Sequence, residues 1–128
     1  MSLGIFDEQQ PLTFPLVIAP GGPTSFQQLV SSSNLKLRID AIYLRNWDVI
    51  DHVVTFTIRH SAVGSILGSV NVPAAPLTDV QSPVEALLAM GFTAQQGIVL
   101  GPYDDIQITT PVAVVSGILS ITAVGGTL

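Results

Sequence analysis

Residues 35 to 39, Leu-Lys-Leu-Arg-Ile, alternate without interruption, so that Leu35, Leu37 and Ile39 share one face and Lys36, Arg38 and Asp40 the other. A period of two is the signature of a half-buried strand. A polar break at Arg45-Asn46-Trp47-Asp48 follows, and then Val54, Phe56 and Ile58 alternate with Thr55, Thr57 and Arg59. That second run is rich in β-branched and aromatic residues, and with the first it predicts an antiparallel hairpin. Residues 62 to 72 form a weaker strand that ends at Pro73, with Gly64 and Gly68 as candidate bulges or close approaches. Further strands are predicted over residues 12 to 19, 97 to 100, 105 to 109 and 112 to 124, with Gly101-Pro102-Tyr103-Asp104 as a turn.

The periodicity changes between Pro73 and Gly91. Ser82-Pro83-Val84-Glu85 supplies an N-cap serine, a proline at the first helical position and a glutamate at the third, and Gly91 follows Ala86-Leu87-Leu88-Ala89-Met90. This capping box with a terminal glycine predicts one short helix over residues 83 to 90. Residues 24 to 31 stay open between strand and helix, because Thr24 and Gln27 also have capping-box spacing. Seven or eight short antiparallel strands with one inserted helix specify an all-β domain, a β-sandwich or jelly roll, over residues 1 to 128.

Charge adds one constraint. Only 10% of the residues are charged, 48% are apolar and the mean hydropathy is +0.58. Ordinary domains carry about 25% charged residues, so the surface is expected to include apolar interfaces between copies, with residues 112 to 124 as the face offered. The net charge of −5 argues against nucleic acid or an anionic membrane as partner. Residues 106 to 128 are uncharged, but Pro111, Ser116, Ser120 and Thr122 interrupt them, so no run approaches the ~20 apolar residues of a membrane span. No basic stretch followed by an apolar one marks a signal peptide at the N-terminus.

The familiar catalytic patterns are incomplete in this sequence. Gly64-Ser65-Ile66-Leu67-Gly68 puts its serine in the wrong place for a nucleophile elbow, and Gly21-Gly22 is followed by proline rather than a phosphate-binding lysine. The chain has no cysteine, which excludes thiol chemistry. His52 and His60 stand eight residues apart on one predicted strand, about 26 Å at ~3.3 Å per residue, too far to share a metal. Asn46, Asp48 and Asp51 at one turn, and Asp104 and Asp105 at another, provide oxygen ligands of the kind calcium takes, but lack the full calcium-loop spacing. No residue is therefore assigned a catalytic, cofactor or metal role, and the expectation is a protein that is not an enzyme. Trp47, Asp48, Tyr103 and Asp104 are the candidate binding-loop residues. A carbohydrate or small-ligand module built on them requires both loops at one end of the sandwich.

The string Leu35-Lys-Leu-Arg-Ile-Asp-Ala-Ile-Tyr-Leu-Arg-Asn46 resembles the first core strand of small virion proteins of tailed bacteriophages. Val72-Pro73-Ala74, residues 97 to 106 (GIVLGPYDDI) and residues 120 to 126, which end in a glycine pair, are similar to later connections and to the closing strand of such proteins. The resemblance covers residues 35 to 128, and the capped helix and Pro102-Tyr103-Asp104 depart from it. It implies a structural, decoration or tail- or head-associated subunit that assembles as a homo-oligomer, a trimer by preference, beside other virion proteins. Its place would be the virion or the cytoplasm of the producing host.

Overall fold

The computed structural model describes residues 10–61, 63–75, 83–93 and 97–128. They form nine strands and one short helix: β1 (Pro11–Ile18), β2 (Gln27–Ser31), β3 (Leu37–Asn46), β4 (His52–His60), β5 (Val63–Val72), β6 (Val84–Glu85), α1 (Ala86–Ala89), β7 (Ile98–Leu100), β8 (Asp104–Thr109) and β9 (Leu119–Thr127). Two antiparallel sheets face each other, one ordered β1-β9-β3-β6 with β7 also on β3, the other β2-β8-β4-β5. The expected β-sandwich is present.

The alternation read from the sequence matches burial at Leu37 and Ile39 and at Val54 and Phe56, but Leu35 is 48% exposed and lies before β3, and Thr57 is buried beside the bulge in the β4–β5 pairing. Leu37, Ile39, Ile42 and Leu44 of β3 and Leu119, Ile121 and Ala123 of β9 meet Val54 and Phe56 of β4, Val70 and Val72 of β5, and Ile106 and Ile108 of β8 in the core. Each of these larger side chains contributes roughly 1.5–3 kcal/mol by leaving water. No helix of the described residues is long and apolar enough to cross a membrane.

Three expectations are corrected. β3 and β4 are not a hairpin: β3 pairs with β9, β6 and β7, and β4 with β5 and β8, so the chain changes sheets between Asn46 and His52. Period-two burial shows which face of a strand is covered, and two strands facing one core from opposite sheets look the same as two neighbours. The real hairpin is β4–β5, closed between His60 and Val63. The helix is also shorter than predicted, because Val84 and Glu85 pair with Leu44 and Tyr43 as β6. Glu85 then becomes the N-cap, its Oε2 accepting from Leu87 N at 2.6 Å, while Ser82 lies outside the described residues. Gly91 ends the helix with φ 99°, as its place in the sequence predicts.

Third, residues 112–118 form a loop, and the closing strand starts only at Leu119. The inward side chains of β9 are buried in the chain's own core, whereas Val112 and Val115 in the loop are exposed. Residues 24 to 31 resolve to an irregular stretch leading into β2, where strand pairing to β8 takes the place of a capped helix.

Candidate functional site

The connection between the sheets is organised by a buried carboxylate. Asp48 is fully buried and accepts five hydrogen bonds. Oδ2 takes His52 Nε2 at 2.7 Å and Val115 N at 2.9 Å. Oδ1 takes Val49 N at 2.9 Å, Ser116 N at 3.0 Å and Gly117 N at 3.3 Å. Asn46, also buried, accepts from Asp48 N through Oδ1 and donates through Nδ2 to Ile50 O and Val72 O. The loop over residues 115–117 therefore gives its N–H groups to a side chain instead of a strand partner. Burial alone would push the Asp48 carboxyl up, but the hydrogen bonds from His52, Ser116, Val115 and Val49 outweigh it and hold the group well below the usual carboxylate range. Five convergent donors suit an anion rather than a cation, so Asp48 serves the fold.

The second acid pair lies at the far end of β4. His60 is the register partner of Asp104, and its Nδ1 is hydrogen-bonded to Asp104 Oδ1. Asp104 Oδ2 accepts from Gly101 N at 2.9 Å, while Arg59 makes a two-bond pair with Asp105 at 2.9 and 2.6 Å. Each histidine thus has its own aspartate, at opposite ends of one strand. Trp47 and Asp48 are likewise separated from Tyr103 and Asp104 by the length of the sandwich, so the four residues do not form one binding loop.

Tyr103 is strained. The turn from Gly101 to Asp104 closes with Asp104 N on Gly101 O at 3.2 Å, and Tyr103, third in the turn, has φ 64°. That position of a Pro-containing type II turn ordinarily takes glycine, and a side chain there costs roughly 1–2 kcal/mol. The ring is 74% exposed and recovers little of this by packing. Tyr103→Gly is expected to raise the melting temperature by about 2–5 °C, the relief being partly offset by the greater freedom of glycine in the unfolded chain. A lower melting temperature in a calorimetric scan would show that the ring is held by contacts after all.

Trp47 belongs to a different surface from the one its loop position suggests. Tyr43 and Arg45 lie on the outer side of β3 and Trp47 follows one residue beyond its end, and the Arg45 guanidinium lies 5.8 Å from the centre of the Trp47 ring. With Ser120 and Thr122 of β9 and with Pro83 they line a groove of about 470 Å³. The sequence pattern put Arg45 in a polar break after the strand; the structure continues β3 to Asn46, and the register, Tyr43 against Thr122 and Arg45 against Ser120, brings in the two hydroxyls. No family model matches the chain, and neither a curated protein nor a solved structure does.

Proposed function

We propose that the protein is a non-enzymatic assembly subunit that acts by joining further copies of itself. The carrying observation is β5. It is ten residues long, contains neither proline nor charge, and among the described residues pairs only with β4, leaving one edge unpaired. Val63 and Ile66 on it are 72% and 73% exposed. Unpaired N–H and C=O groups on such an edge are a template for another strand, which is why edges are usually blunted by proline, lysine or charge. β1, an edge of the other sheet, carries Pro11 and Pro15. β5 carries neither proline nor charge, and its one irregularity is a bulge at Leu67 in its pairing with β4.

The occupant that best suits the edge is the same edge of a second copy. Antiparallel pairing of two β5 strands about a two-fold axis satisfies both rows of backbone groups and covers Val63 and Ile66 without bringing like charges together. The low charge content supports the same reading, and the resemblance over residues 35 to 128 would, if it holds, make the assembly part of a phage virion. A trimer would instead seat β5 on a different surface of its neighbour.

Light scattering after gel filtration, over a range of protein concentrations, tests this. The wild type should run as a closed oligomer and Ile66→Lys, at an exposed position, as a folded monomer. A wild type that stays monomeric throughout, or an Ile66→Lys variant that assembles unchanged, overturns the reading.

A further inference from the structure

The groove on the outer face of the first sheet has the chemistry of a ligand site. Its volume of about 470 Å³ lies in the ordinary range for small ligands, and its lining combines two aromatic rings, one guanidinium and two hydroxyls. Of the three arginines, Arg38 is held by Asp40 at 2.7 Å and Arg59 by Asp105 at 2.6 Å. Arg45 has no carboxylate partner among the described residues, and its guanidinium lies over the Trp47 ring. Glu85, the register partner of Tyr43, has its Oε2 on the N–H groups of Leu87 and Ile42. Among the described residues the groove thus offers a guanidinium with no carboxylate partner, on a chain of net charge −5. A smaller hollow of about 220 Å³ beside Arg38 lacks this character, because Asp40 lines it too.

We propose that this groove binds a carboxylated sugar, such as a uronic acid residue of a glycan. The unpaired guanidinium takes the carboxylate in a two-bond fork, the interaction for which arginine geometry is best suited. The C–H face of the sugar ring lies against Tyr43 and Trp47, whose rings supply apolar area with a polar edge. Ser120 Oγ and Thr122 Oγ1, on the neighbouring strand, reach the ring hydroxyls. A neutral sugar would use the aromatic floor and leave the Arg45 charge uncompensated. A simple anion would use the charge and leave the floor bare.

Titration calorimetry with digalacturonate and with its methyl ester, on wild type and on Arg45→Gln, isolates the charge contact. The wild type should bind the acid at least about tenfold more tightly than the ester, and Arg45→Gln should bind both equally weakly. Ile66→Lys should bind the acid as the wild type does, because β5 is in the other sheet; loss of assembly and loss of sugar binding are thus separate results. No binding of the acid by wild type up to about 10 mM, equal affinity for acid and ester, or wild-type affinity in a folded Arg45→Gln each overturn the proposal.

Discussion

Replacing Asp48 by alanine is expected to destabilise the fold by about 3–5 kcal/mol, a large share of the roughly 5–15 kcal/mol that holds a domain of this kind together. The carboxylate is the shared acceptor for His52 Nε2 and for the N–H groups of Val49, Val115, Ser116 and Gly117. Its removal leaves these donors without a partner at a place where Asp48 and His52 are both out of solvent. Desolvated donors keep their full penalty, so the loss exceeds the net worth of the bonds themselves. It also frees the loop that leads into β9, the strand lying between β1 and β3. Asp51, exposed and among the described residues holding only Ala74 N through Oδ1, provides the contrast: alanine there should cost under about 1 kcal/mol. Urea unfolding of the three proteins measures both differences, and equal midpoints for Asp48→Ala and Asp51→Ala would refute the role given to Asp48.

The same carboxylate makes the stability pH-dependent in a fixed direction. Its folded value lies below the ordinary one of about 3.9, so its contribution is complete above that pH and is lost as the pH falls below it towards the folded value. Between neutral pH and about pH 5 this group changes nothing. Below about pH 4 the wild type should lose its advantage over Asp48→Ala progressively. A gap between the two proteins that stays constant through the acid range would assign the stabilisation to something other than the ionised form.

These contacts explain which parts of the molecule were legible in advance. The faces of β3, β4 and β9 could be read, because burial of one side imposes alternation on the residues themselves. Strand partnership could not, and neither could the crossing from one sheet to the other after Asn46, since alternation carries no information about the neighbour. Residues 112 to 118 resembled a strand because they are apolar and uncharged, yet their N–H groups go to a side chain more than sixty positions earlier. His52 and Asp48 are four residues apart, a spacing suggestive only in hindsight, whereas His60 and Asp104 are joined by strand register alone. Trp47, read as part of a loop with Asp48, lines the groove on the sheet face. Extending the two-residue spacing of Tyr43 and Arg45 by one more step puts it on the sheet face, where the groove lies.

Gly125→Ala is expected to do much damage for few atoms, about 2–4 kcal/mol for one methyl group. Gly125 lies opposite Ile39 on β3 and Leu12 on β1, and a bulge at Asp40 shifts the β3 register immediately beside it. The bulge brings the main chain of Arg38 so close that a Cβ on Gly125 would overlap the Arg38 carbonyl oxygen. Backbone on both sides leaves no flexible side-chain end to move, so β9 would have to separate from β3 and give up ladder hydrogen bonds. Gly21 separates this cause from the other reason for glycine: its φ is 72° and nothing lies within 4 Å of where a Cβ would be. Alanine at Gly21 should therefore cost only about 1 kcal/mol, through backbone conformation rather than space. If denaturant midpoints show Gly125→Ala to be no worse than Gly21→Ala, the strands are not in close contact at the bulge. If Gly125→Ala is several times worse, as expected, the glycine pair that closes the chain is there to let β3 bulge against β9.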